Sequence, residues 1–277
     1  MKKQKIIRGG AVQQRTASFP QDVLGIIIAD IGDGIWSLKA VSRTCYSWYI
    51  AAVPYLHHTL TLRDQVFDQT RTELRPLAEL YKMDLLPFVK KLWIRSSSPK
   101  PWILPRKFSR RTLLHFSALA NVQQLRIERF NLSKFKSGIE RYFGHFAPAL
   151  GSISLTLSSG TQRQLLCFLA HFPNLDDIEV AYHLTAKPDT TMKPKLAVPP
   201  SVPSLRGQLK LTHFPSETLV RDMITFFGEL RFQCMDLCGM EGSQLLLEAC
   251  AGVLQTVRIN AIAPTSTELV FTLTNLC

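Results

Sequence analysis

The residues able to do chemistry are scattered along the chain. Six cysteines stand at Cys45, Cys167, Cys234, Cys238, Cys250 and Cys277, mostly among apolar neighbours, as expected of buried thiols in a reducing compartment. Cys234 and Cys238 have the only close spacing, but no second pair or nearby histidine completes a zinc set. No metal or other cofactor is therefore expected. The seven histidines are spread one or two to a segment. His57 and His58 adjoin, but on a strand successive side chains face opposite ways and would not converge on one ligand. The adjacent Asp176 and Asp177 read as exposed strand-entry positions. No Gly-x-Ser-x-Gly elbow, phosphate-cradling Gly-x-x-x-x-Gly-Lys or His-Glu-x-x-His is present, so the chain is expected to have no catalytic site.

Charge offers a second kind of chemistry. The net charge is +12, with one basic group at Lys2, Lys3, Lys5 and Arg8 and another at Lys100, Arg106, Lys107, Arg110 and Arg111. Such groups can neutralise phosphates, complement an acidic protein, act as an import signal or simply be solvated. No zinc finger or RNP-type aromatic pattern accompanies them, so direct nucleic-acid binding is the less favoured reading. The chain has 277 residues and is 46% hydrophobic, enough for a small module plus a larger core. The apolar run from Val23 to Ala29 is broken by Asp30, far short of the roughly 20 residues that cross a bilayer. The opening MKKQKIIRGG lacks the apolar core of a signal peptide. No membrane partner is expected, and the cytoplasm or nucleus is the expected location.

The elements that must position any functional surface begin at residue 18. Ser18 and Gln21 have capping-box spacing with Pro20 in the first turn, which predicts a helix running to Gly32 and Gly34. Val23, Leu24, Ile27, Ile28 and Ile31 share one face. Ile26 and Ala29 widen that apolar surface beyond a single stripe, and the excess must be buried against something, which in so short a segment includes another protein. After the glycines, Ser37 can cap a helical run through Leu38, Val41, Cys45 and Trp48 that Pro54 stops.

This order of features, Phe-Pro-Gln-Asp-Val-Leu, Ile-Ile-Ile, a turn, Leu-x-x-Val-Ser-Arg and then Trp48 before Ala-Ala-x-Pro, resembles an F-box. Phe19, Asp22 and Ser42 stand where that family has Leu, Glu and Cys. The resemblance implies docking on the Skp adaptor, and through it a cullin, with Pro20, Leu24, Ile27, Val41 and Trp48 as the adaptor contacts.

Beyond residue 62 the signal is repetition. An aliphatic-x-x-aliphatic-x-aliphatic pattern appears as Val89, Leu92, Ile94, then Val122, Leu125, Ile127, then Leu150, Ile153, Leu155, then Leu175, Ile178, Val180. It returns as Leu205, Leu209, Leu211 with one residue extra, as Phe232, Met235, Leu237 and as Leu254, Val257, Ile259. The last two residues of each pattern point to one face of a strand. Helical patterns precede most of them, at Leu77 to Leu85, Phe135 to Phe146, Leu165 to Phe172, Leu219 to Leu230 and Leu246 to Leu254. Units this small cannot bury their own apolar faces and must stack.

The plan is similar to a degenerate leucine-rich-repeat solenoid, with parallel strands and helices on the outer face. A doubly wound α/β domain also alternates helix and strand, but would show longer apolar strands and a Gly-rich first turn. Two Pro-rich stretches interrupt the units, residues 96–111 and 184–203. Long loops in compact domains are functional or disordered, and Trp102 in the first is a candidate substrate anchor. The C-terminal TSTELVFTLTNLC reads as the opening of another repeat helix.

The expected organisation is α/β: a basic tail over 1–17, an F-box-like helical module over 18–62 and a leucine-rich-repeat-like domain over 63–277. The expected function is a substrate receptor of a cullin-based ubiquitin ligase that holds an unidentified protein. A repeat-based scaffold and a basic nucleic-acid binder are the alternatives.

Overall fold

The computed structural model describes residues 20–32, 34–63, 75–95, 110–132, 142–182, 204–212, 217–238, 242–260 and 268–272. The chain divides into two compact units, residues 1–56 and 57–277.

Among its described residues the first unit is three short helices, α1 (Gln21–Ile31), α2 (Ile35–Ser42) and α3 (Tyr46–Leu56). Helix α1 starts at Gln21 with Pro20 as its N-cap and no side-chain cap, and ends at Gly32 with φ 64°. Gln21 therefore holds the first helical position and not the third that the expected capping box needs. The single run expected from Ser37 is broken at Arg43 to Cys45 into α2 and α3, and Pro54 lies inside α3 instead of ending it. Ile28, Leu38 and Ala52 form the core, with Ile31, Val41, Trp48, Ala51, Tyr55 and Leu56 packed against it.

The second unit is built on nine strands among the described residues: β1 (Thr59–Arg63), β2 (Lys91–Arg95), β3 (Gln124–Asn131), β4 (Ser152–Ser159), β5 (Asp177–Tyr182), β6 (Leu205–Leu211), β7 (Leu230–Cys238), β8 (Thr256–Asn260) and β9 (Glu268–Thr272). They pair strictly in sequence order. Strands β1 to β8 are parallel. The order never reverses, so the sheet has no topological switch point of the doubly wound kind. Helices α4 (Arg75–Lys82), α5 (Arg110–Ser117), α6 (Gln162–Leu169), α7 (Glu217–Phe227) and α8 (Ser243–Cys250) lie between strands. Pro76 takes the first turn of α4, where its missing N–H costs nothing, and Thr161 and Gln164 close a capping box on α6.

Register turns the repeated sequence pattern into two aliphatic ladders. One runs Leu60, Leu92, Leu125, Ile153, Ile178, Leu209, Met235, Val257, and the other Leu62, Ile94, Ile127, Leu155, Val180, Leu211, Leu237, Ile259. All are buried in one core, each worth about 1.5–3 kcal/mol of burial. Beyond them the helices bring an aromatic cluster in which Phe143 meets Phe146, Phe168 and Phe172 with centroids 5.8, 6.0 and 6.5 Å away. Leu60 and Leu62, expected in the helical module, belong to the ladders, and the boundary between the units falls at residue 56.

One backbone joint recurs at the strand entries. Two successive N–H groups donate to a single carbonyl of the preceding unit: Lys90 and Lys91 to His58, Gln123 and Gln124 to Lys90, Gly151 and Ser152 to Gln123, Asp176 and Asp177 to Gly151. A side-chain tie accompanies it, Asn121 Nδ2 donating to the Pro87 carbonyl at 2.8 Å and Asn174 Nδ2 to that of Pro148 at 2.7 Å.

The unit with one extra residue departs from this joint. There only Gln208 N donates to the Asp176 carbonyl, Gly207 has φ +81° and the register against β7 shifts between Gly207 and Gln208. A Cβ on Gly207 would collide with that carbonyl oxygen.

The C-terminal segment corrects the sequence reading. Residues 268–272 form a strand, antiparallel to β8, where a helix was expected. Val, Phe and Thr favour an extended backbone, and the short interval after Asn260 cannot hold the crossover a parallel partner needs. The loops at 96–109 and 184–203 lie outside the described residues, as does most of the helix expected over Phe135 to Phe146.

Gly207→Ala is expected to destabilise the chain by more than about 2 kcal/mol, from left-handed backbone strain and the carbonyl clash together. A chemical-denaturation midpoint equal to that of the parent would refute this account of the irregular unit.

Candidate binding surfaces

Among the described residues of the second unit, helices cover one sheet face and leave the other open. Along β2, and along β4 up to Ser158, burial alternates between buried and half-exposed positions. Parallel sheets are ordinarily covered on both faces, whereas here no described helix covers the half-exposed polar face of the parallel strands.

The central row of the open face follows from register: Thr61, Trp93, Arg126, Ser154, Glu179, Lys210, Asp236, Arg258. Neighbours in this row are one strand spacing apart, about 4.8 Å, so their side chains interact directly. At the β2–β3 end Trp93 Nε1 donates to Glu128 Oε1 at 3.0 Å and Arg95 Nε to Glu128 Oε2 at 3.3 Å. Arg126 Nη2 lies 3.6 Å from Glu128 Oε1. The Arg95 and Arg126 guanidiniums sit 4.3 and 4.8 Å from the Trp93 ring centroid, an arrangement that orients both cations.

At β5 a shallow depression of about 210 Å³ is lined by Ser152, Ser154, Asp177, Glu179, Gln208 and Lys210, with Ile153 and Ile178. Ser154 Oγ donates to Glu179 Oε2 at 2.7 Å and Lys210 Nζ to Oε1 at 3.0 Å. Burial alone would push the Glu179 carboxyl up, but the hydrogen bonds from Ser154 and Lys210 and the charges of Lys210 and Arg126 outweigh it and hold the group below the usual glutamate range. Asp177 is the opposite case: burial, then the adjacent Asp176 charge, push its carboxyl up. Asp176 is itself paired with Arg206 at 2.6 Å.

The helical unit offers a different surface. Ile26 is 70% exposed, Trp36 81% and Tyr46 77%, with Ile35, Tyr49 and Ile50 also exposed. Lys39 Nζ lies 5.3 Å from the Trp36 ring centroid. The apolar surplus expected at Ile26 and Ala29 is on the surface; the contribution of Trp36 and Tyr46 was missed because neither falls on the helical spacing used to find the second run.

Of the positions assigned to adaptor contact, Pro20 is exposed and Ile27 half-buried. Leu24 is 1% exposed, and Val41 and Trp48 pack against the helical core. Trp102 lies outside the described residues, as do the basic residues Lys2, Lys3, Lys5, Arg8, Lys100, Arg106 and Lys107. Arg110 and Arg111 open α5.

Among the described residues no three His, Cys, Asp or Glu side chains group to hold a metal ion. Cys234 and Cys238 lie on the same face of β7, about 13 Å apart along the strand, too far to share one. His57 is half-buried and its pKa is lowered by burial. His115 is buried against Tyr81, with ring centroids 4.4 Å apart, and Asp176 and Asp177 are exposed as expected. No helix among the described residues is long and apolar enough to cross a membrane. The chain matches no protein-family model, no curated protein and no solved structure.

The two β5 carboxylates predict opposite pH behaviour. Folding favours the ionised form of Glu179, so its charge stabilises the fold at neutral pH and that contribution is lost as the pH falls through its lowered pKa. Folding favours the protonated form of Asp177, so its stabilising contribution is full at acid pH and is lost as the pH rises through its raised pKa. At pH 7 Glu179→Gln is expected to lower the melting temperature and Asp177→Asn to raise it, each by no more than about 1 kcal/mol equivalent at so solvated a site. Both differences should shrink toward zero as the solution is acidified below the carboxylate range, and shifts independent of pH would contradict the assignment.

Proposed function

We propose that the chain is a non-catalytic substrate receptor of a cullin-based ubiquitin ligase, its N-terminal helices an F-box that docks on the Skp adaptor and its sheet unit a degenerate leucine-rich-repeat solenoid that holds the protein to be modified. The observation that carries the reading is the apolar surface of the helical unit. Ile26, Trp36 and Tyr46 are large side chains left in water on helices whose core is made by other residues, which is what a docking face requires. Burying three such groups yields about 1.5–3 kcal/mol each. Lost rigid-body freedom costs about 4–15 kcal/mol, so polar contacts must add to the apolar anchors and a moderate affinity is expected.

The sequential parallel strand order, the repeated entry joint and the uncovered face support the solenoid part of the reading. Such a receptor works by proximity, raising the local concentration of a substrate lysine near the conjugating enzyme while contributing no catalytic group. The reading places the chain in the cytoplasm or nucleus, with no cofactor.

The adaptor contacts are best tested at residues that the fold does not need. The purified full chain is expected to co-elute with a Skp adaptor in size-exclusion chromatography. Ile26→Asp combined with Trp36→Ala should weaken this at least about 10-fold while leaving the melting curve unchanged, because both side chains are exposed. Leu24→Asp does not discriminate, since Leu24 is buried and its loss would unfold the module. Separate elution of the parent chain, or undiminished binding by the double variant, would defeat the reading.

A further inference from the structure

The open sheet face carries a charge pattern that defines what it can hold. Its β1–β3 end is cationic: Arg63 stands beside Arg95 in register, Arg95 and Arg126 flank Trp93, and Glu128 is the carboxylate among them. Arg95 donates to Glu128 and Arg126 lies at ion-pair distance from it, both side chains remain half-exposed, and each guanidinium sits over the Trp93 ring. Held this way, guanidiniums take a carboxylate with little further loss of freedom.

The β5 depression is different. Ser152, Asp177 and Gln208 sit side by side on three neighbouring strands, presenting a hydroxyl, a carboxylate and an amide. Glu179 beside them is committed to Ser154 and Lys210. The Asp177 charge is held near that of Asp176 and is partly desolvated, so a cation arriving there relieves repulsion and gains an ion pair.

We propose that this face binds an extended segment of a partner protein that carries an aspartate or glutamate at the Arg63–Arg95–Arg126 end and a lysine or arginine in the Asp177 depression. The separation follows from the sheet. In register Asp177 lies two strands and two residues from Arg126, about 12 Å, and three strands and four residues from Arg95, about 20 Å; an extended chain advances about 3.3 Å per residue. The acidic and basic residues of the partner are therefore about four positions apart where the acid meets Arg126 and about six where it meets Arg95. A nucleic acid fits less well, because a uniform run of phosphates laid across the row would meet Glu179 and Asp236 after leaving Arg126. The proposal rests on the reading of the open face as the capture surface and is independent of adaptor docking.

Display selection with a random 12-residue peptide library on the immobilised full chain tests it. Selected peptides are expected to be enriched in an acidic residue about four to six positions from a basic one. Selection on Arg63→Glu/Arg126→Glu should lose the acidic preference, and on Asp177→Lys the basic one, with affinity of a parent-selected peptide falling at least about 10-fold in each. Arg126→Gln, which brings no second carboxylate to Glu128, replaces the reversal if the latter alters the melting curve. The proposal is overturned if nothing is enriched over the bare support, if enrichment lacks the spaced pair, or if the pair persists in the variants. It is also overturned if a 20-residue oligouridylate binds the parent and is lost in the arginine variant, which would give the face to a polyanion. A chain that fails with peptides yet co-elutes with the adaptor leaves the docking reading standing, so the two failures are separable.

Discussion

The in-register joint between consecutive units is the constraint on which the second unit depends. Where two N–H groups of a strand entry close on one carbonyl of the unit before, as at β2 to β5, the start of the strand that follows has no freedom of register. A slip of one residue would send both aliphatic rows to solvent and the charged row into the core. The joint and the ladders therefore enforce each other: the hydrogen bonds fix which residues lie side by side, and burial of about 1.5–3 kcal/mol per aliphatic side chain penalises every alternative. The aromatic cluster around Phe143 and Phe168 packs beyond the ladders, and the register shifts of the parallel sheet fall outside the ladder pairs, past Ile127 in β3 and between Gly207 and Gln208 in β6. Where a unit does carry an extra residue, the correction falls on the backbone, at Gly207, the residue type able to hold a positive φ against a neighbouring carbonyl.

That division explains what was legible in the sequence. The ladders are a period-two signal repeated at each unit, so the strand positions from Leu92 to Ile259 could be read directly, and their parallel stacking follows from units too small to fold alone. Leu60 and Leu62 carry the same signal, but they follow the N-terminal helices so closely that they read as the tail of that module. Residues 268–272 failed for a different reason: five residues rich in apolar side chains fit either period, and only the short interval before them, which admits a hairpin return but not a crossover, decides for a strand. In the first unit the mid-run break at Arg43 to Cys45 leaves no Gly or Pro mark, and Pro54 is accommodated one turn from the end of α3, where little of the hydrogen-bond ladder remains to be lost.

The binding surfaces were far less legible. A row such as Trp93, Arg126, Ser154, Glu179, Lys210 has no sequence signature, because its members are far apart in the chain and of every chemical type. They become a surface only once register places them at one strand spacing. The helical unit shows the same limit in another form. The helical spacing that identifies Leu24, Ile28 and Leu38 selects residues that build the core, so it is silent about Trp36 and Tyr46, which lie off that spacing and are exposed. Periodicity finds what a fold buries, and a binding surface is what is left.

The chain's net charge of +12 acquires a different meaning once its placement is known. A net excess could have arisen as one basic field across the sheet, which would attract any polyanion. Instead the charges of the central row alternate in sign, Arg126 and then, past Ser154, the adjacent Glu179, Lys210, Asp236 and Arg258. At about 4.8 Å between neighbours, well inside the Debye length of about 8 Å at physiological salt, a uniformly charged ligand gains at one position what it loses at the next. A ligand gains everywhere only by matching the alternation residue by residue. The excess positive charge speeds encounter with acidic surfaces in general, while the row discriminates among those encounters, and discrimination of that kind is the property that a surface for selecting one protein segment among many requires.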